Sequence, residues 1–190
     1  MKWIGERISF VDDQGWTSIV IHPEKKPLVT GLMGAWVAMW MAIGITVLWS
    51  LYTLQLSQQE SIILYIFLSF WAYYALKVIR SFFWIMWGKE LLKIDESAVH
   101  YKRSIRQYGR SIPYYLENIH KIELTVPESR SLQSVWESSP WVRGGERIQF
   151  EHMGKIIRVA RKLNEKDAKL LFSLVTKRIE QQLKKKSKNS

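Results

Sequence analysis

Four histidines, seventeen acidic residues and no cysteine are the groups from which chemistry could be built in this 190-residue chain. His22, His100, His120 and His152 show no metal-ligand spacing such as a helical i, i+4 pair. There is no Gly-rich phosphate loop, no nucleophile elbow and no paired-carboxylate signature. The absence of cysteine removes thiol catalysis, disulfides and cysteine-ligated metal, and fits a reducing compartment. Each histidine reads as a strand or loop residue, and the acids as solvated partners of more numerous bases. The expectation is a protein that is not an enzyme, with no catalytic residue, no metal site and no cofactor.

Two segments rise above that background. Lys102, Arg103, Arg106 and Arg110 gather on one strand-turn-strand unit, a candidate grip for anionic headgroups. The bland alternative is a solvated basic surface. Residues 127–145 form a long connection in which Trp136 and Trp141 flank Ser138-Ser139-Pro140, and Arg143 follows. Connections this long are usually functional or disordered, and two tryptophans argue against plain disorder. Trp136, Trp141 and Arg143 are therefore candidate partner contacts, with folding back over the domain's own core as the other reading.

The elements that must position these groups begin with two uncharged runs. Residues 28–59 carry no charge until Glu60, and residues 61–76 carry none. About 20 apolar residues at roughly 1.5 Å rise cross a hydrocarbon core about 30 Å thick. The expected spans are about 28–54 and 61–87, joined by the short segment from Gln55 to Glu60. A soluble helix would show a polar face, which the first run lacks. The run is also too long for a signal peptide, and patterned polar residues precede it. Lys77 and Arg80 fall about 24 Å and 29 Å along the second helix, where long basic side chains reach a headgroup layer. Ser81 to Trp87 then reads as an aromatic interfacial extension.

Gly34, Ala38 and Ala42 recur every four residues, a small-residue stripe against which another helix can pack. The many aromatic residues of both runs exceed what two interfacial belts need, so some should face a partner in the membrane. Orientation follows from charge. Lys2, Arg7, Lys25 and Lys26 precede the first span, and the connection has no Lys or Arg. From Gly88 onward there are 22 Lys or Arg against 12 Asp or Glu. Both termini are expected in the cytoplasm, in a multi-pass protein of a cytoplasmic (inner) membrane. The net charge of +11 is then read as retention plus attraction to anionic lipid rather than to nucleic acid.

Residues 1–27 read as a cytoplasmic β-hairpin. Ile8 and Phe10 alternate with Ser9, the turn lies at residues 12–15, and Trp16, Ser18 and Val20 alternate with Ile19 and Ile21. Alone it would be marginal, so it should dock on the larger domain, the lipid surface or a partner. Residues 88–184 read as an α+β domain of short strands, with turns at Asp95-Glu96-Ser97 and Tyr108-Gly109-Arg110. A further hairpin is expected around Met153-Gly154. Asn164 caps a final helix with Ala168, Leu171, Phe172, Val175, Ile179 and Leu183 on one face. A basic tail, 185–190, closes the chain. The apolar face should cover the sheet, the alternative being a helix lying on the membrane surface.

The stretches Trp87 to Asp95, Arg110 to Ile119 and Leu163 to Ala168 resemble the bacterial PH-like domain of small membrane proteins. Length and layout are also similar to those of the photosystem I assembly proteins of chloroplasts and cyanobacteria, in architecture rather than in motifs. The resemblance implies an antiparallel β-sheet or barrel capped by a C-terminal helix, used as an interaction module. In eukaryotic PH domains basic residues on an early hairpin hold phosphoinositides. The reading is a non-catalytic accessory, assembly or scaffolding subunit of a membrane complex. Its expected partners are other membrane subunits and anionic lipids, with a homo-oligomer possible. The alternative is an anionic-lipid-binding or lipid-sensing membrane protein.

Overall fold

A computed structural model describes residues 1–13, 15–24, 26–125, 139 and 144–189, with side chains through 187. Trp136, Trp141 and Arg143 lie outside the described residues. The chain forms two compact units, Met1–Glu24 with Trp87–Ser190, and Lys25–Met86.

The first unit is built on two antiparallel sheets. One runs in chain order through β1 (Lys2–Ile4), β2 (Ile8–Asp12), β3 (Thr17–Ile21), β4 (Gly88–Ile94), β5 (Ala98–Ile105) and β6 (Ser111–Tyr115). The other holds β7 (Ile119–Leu124), β8 (Glu146–His152) and β9 (Lys155–Arg161). A single 3-10 turn, Leu116–Asn118, joins them. The N-terminal hairpin is thus part of the main sheet, because Ile19 pairs with Leu92 across the β3–β4 register. Alternation explains which faces meet. Thr17, Ile19 and Ile21 of β3 are buried, as are Glu90, Leu92 and Ile94 of β4, while Lys89 and Lys93 point out. Ile148 and Phe150 supply the matching face of β8.

Helix α3 (Glu165–Asn189) covers this core. Asn164 Oδ1 accepts from the Asp167 amide at 2.6 Å, the cap that the sequence anticipates. Ala168, Leu171, Val175 and Ile179 are buried at helical spacing, against elements that include β1, β7 and β8. The helix also takes in residues 185–189, which the sequence reading left as a tail.

The sheets do not close into a barrel, and backbone chemistry at both edges shows why. Ile105 and Tyr108 exchange two backbone hydrogen bonds, 3.0 and 3.2 Å. Hydrogen-bonded and non-bonded pairs alternate along an antiparallel ladder. In the register Tyr101↔Ile112 and His100↔Pro113, the proline falls at a non-bonded pair. Its nitrogen therefore faces the free edge of β6, where it has no proton to donate. On β9 the edge groups are already engaged. The Ala160 amide donates to Glu90 Oε2 at 2.8 Å, and the Arg158 carbonyl accepts from Arg103 at 3.2 Å. The turn between β5 and β6 also differs from expectation. It falls at Arg106-Gln107, with Arg106 at φ 58°, rather than at Tyr108-Gly109-Arg110. Gly109 is needed for a different reason, since a Cβ there would lie 2.1 Å from the Arg103 carbonyl oxygen.

The second unit is a helical hairpin, α1 (Pro27–Thr53) and α2 (Gln58–Trp87, whose last residue clusters with the sheets). Both helices are long and apolar enough to cross a membrane, with only 11% and 6% of their most apolar windows covered. A core helix of a soluble protein would be mostly covered. Proline at the first position starts α1, and a capping box starts α2. In that box Ser57 N donates to Glu60 Oε2 at 2.8 Å, and the Glu60 amide donates back to Ser57 Oγ at 3.3 Å. The shielded positions include 33, 37, 40, 44, 47 and 51 in α1 and 64, 68, 71, 75, 78 and 82 in α2. That spacing of three and four is the seam of two packed antiparallel helices.

Candidate functional site

The four bases of the sequence-predicted headgroup set separate into two pairs. Lys102 and Arg106 stay at the β5–β6 turn. Lys102 Nζ donates to the Gln107 carbonyl at 3.1 Å, and the Arg106 guanidinium lies 4.6 Å from the centre of the Trp87 ring. The Arg106 amide donates to the Trp87 carbonyl at 3.1 Å, which ties the turn to the residue that ends α2. Arg103 and Arg110 instead line a groove of about 570 Å³.

That groove is assembled from both sheets. Tyr101, Arg103, Arg110, Ile112 and Tyr114 come from β5, β6 and the residue before β6. Glu146, Ile156, Ile157 and Arg158 come from β8 and β9. Strand alternation puts Tyr101 and Arg103 on one face of β5, and Ile112 and Tyr114 on one face of β6. Tyr114 is held edge-on against Phe150 and His152, with ring centres at 5.5 and 5.2 Å.

A polar network forms the groove's inner wall. Arg103 Nε donates to the Tyr101 hydroxyl at 2.6 Å, and its other arm reaches Glu146 at 3.2 Å. Arg161 donates to the same Glu146 oxygen at 3.0 Å. Burial pushes the Tyr101 phenol up, and Glu90 adds to that rise. Burial works to raise Glu146, yet Arg161 and Arg103 hold it below the ordinary carboxylate range. Glu146, the one acid lining the groove among the described residues, is therefore already paired with two arginines. Arg110 and Arg158 are exposed, and among the described residues neither guanidinium has a hydrogen bond or ion pair. The site has one neutralised acid and two uncommitted cations beside an aliphatic wall. That arrangement can hold an anion. Among the described residues no three His, Asp or Glu side chains gather as a metal site.

The remaining predicted residues are spread elsewhere. Gly34 faces α2, where an added Cβ would lie 3.5 Å from the Phe82 ring. Ala38 and Ala42 are exposed. The stripe splits because each four-residue step turns about 40° around an α-helix. A straighter row exists on the outer face, Gly31, Ala35, Ala38 and Ala42, all exposed and spaced four, three and four. Sequence reasoning missed Gly31 and Ala35 by following a fixed spacing of four. Lys77 and Arg80 both point outward from α2, and Lys77 Nζ lies 4.3 Å from the Tyr73 ring centre. Glu146, Ile156 and Arg158 were also missed, since nothing in their local sequence signals the approach of a second sheet.

Comparison with protein-family models, curated proteins and solved structures finds no match for this chain.

Proposed function

We propose that this chain is a non-catalytic accessory subunit of a membrane protein complex. Two spans anchor it in a cytoplasmic membrane, and its sheet domain lies on the cytoplasmic side. The observation that carries this reading is the outer face of α1. The hairpin seals itself along one seam, yet Gly31, Ala35, Ala38 and Ala42 form a second row of small residues that no described residue covers. Such a row lets a further helix approach closely in a lipid environment. Lys25 and Lys26 before α1 and Lys89 after α2, with no Lys or Arg between the two helices, support the orientation, because basic residues next to a span favour the cytoplasmic face.

Docking is tested by Ala38→Leu combined with Ala42→Leu. Both positions are exposed, so the bulk leaves the hairpin seam untouched. Recovery of co-purifying membrane proteins after mild detergent extraction should fall by about tenfold, matching overpacking that costs roughly 1–3 kcal/mol. Unchanged recovery would remove the outer row as a partner face.

Orientation has a separate test, made clean by the absence of native cysteine. With Ser57→Cys, a membrane-impermeant thiol reagent should label intact cells. With Ser187→Cys, it should label only after lysis. The opposite pattern would reverse the topology.

A further inference from the structure

We propose that the groove between the two sheets binds a phosphate-bearing amphiphile, with Arg110 and Arg158 on the phosphate and Ile112 and Ile156 against the apolar part. The inference stands apart from partner docking, because it uses none of the residues on the outer row of α1. Its first support is charge. Of the groove's three arginines, Arg103 is held by Tyr101 and Glu146, and Glu146 is itself satisfied by Arg161. Arg110 and Arg158 remain, one just before β6 and one on β9, with no partner among the described residues. Two guanidiniums lining one groove suit an oxyanion that can accept from both.

Its second support is the wall. Ile112 and Ile156 are 45% and 60% exposed although both line the groove. Apolar side chains left open beside free cations match a ligand with an apolar body and an anionic head. A volume of about 570 Å³ suits such a molecule. A third observation narrows the class further. A peptide that bound by strand addition would have to use the free edge of β6 or of β9. Pro113 removes a donor from the first, and Glu90 and Arg103 occupy groups of the second. Recognition must therefore run through side chains, which suits a compact amphiphile better than a strand.

The test uses the full chain in nanodiscs of zwitterionic lipid, titrated with dihexanoylphosphatidate. Binding should be saturable and should weaken with added salt. Arg110→Gln combined with Arg158→Gln should weaken it by at least about tenfold. Both side chains are exposed, so the fold should survive, and an unchanged melting temperature checks this. Ile156→Ser should weaken phosphatidate binding while leaving the weak binding of inorganic phosphate unchanged. A disc that already carries anionic phospholipid distinguishes the sources. Loss of probe binding there assigns the supply to the bilayer, and retained binding assigns it to solution. Equal binding by the double variant would overturn the proposal. So would equal affinity for inorganic phosphate, for dihexanoylphosphatidylcholine or for an acidic peptide.

Discussion

Replacing Glu90 with alanine should lower the melting temperature of the sheet unit by on the order of 10 °C. Glu90 is 2% exposed, and its carboxyl is the joint between the sheets. Oε2 accepts from the Ala160 amide at 2.8 Å, and Oε1 accepts from the Arg161 amide at 3.3 Å. Ala160 adopts φ 67°, which a non-glycine residue holds only when its surroundings fix it. Truncation would strand two backbone donors at about 1–3 kcal/mol for each buried one and leave a cavity besides. A combined loss of about 3 kcal/mol is expected, and a unit of this size shifts by about 4 °C per kcal/mol. Glu90→Gln keeps one acceptor and should lose roughly half as much. Glu123→Ala, at an exposed hydrogen bond with Gln149, is the control and should stay within about 0.5 kcal/mol. The measurement is thermal unfolding of the full chain in detergent, followed by far-ultraviolet circular dichroism. A Glu90→Ala melting point level with the control would mean that the carboxyl does not join the sheets.

Glu90 also shows where the sequence stops being legible. Its place on an alternating strand, Glu90-Leu91-Leu92-Lys93-Ile94, makes the inward direction readable, and a buried acid there demands a partner. The partner is 70 residues away, and no local pattern names it. The same limit hides the groove, whose two cations without a partner among the described residues, Arg110 just before β6 and Arg158 on β9, are remote in sequence. Local features fare better. The two long apolar helices, the Met153-Gly154 hairpin and the Asn164 cap each depend on neighbours within a few positions. Met153 and Gly154 adopt φ 50° and 74°, the left-handed pair that such a tight hairpin needs. Strand β1 was missed because three residues are too few to display a period. Of the expected sheet or barrel, the sheet is present and closure is not: β6 ends one sheet and β9 the other, with Pro113 offering no amide at the β6 edge and side chains of Glu90 and Arg103 already on β9.

The same contrast between local spacing and actual contact governs the hairpin, where Gly44→Val should cost about 3 kcal/mol of packing. A Cβ at Gly44 would stand 2.1 Å from the Trp71 ring. Trp71 cannot yield cheaply, because its indole Nε1 donates to the Trp40 carbonyl at 2.8 Å. The valine must push the ring aside, which breaks that bond and opens the α1–α2 seam. Detergent titration should register a lower midpoint for loss of the hairpin. Ala42→Leu, two residues away on the exposed side, should leave that midpoint unchanged. Pairing Gly44→Val with Trp71→Leu supplies the room that valine needs. The double variant should therefore be less damaged than the sum of the two single changes, by about 1–2 kcal/mol. Strict additivity would show that Gly44 and Trp71 do not meet, and the seam would then have to be drawn through other residues.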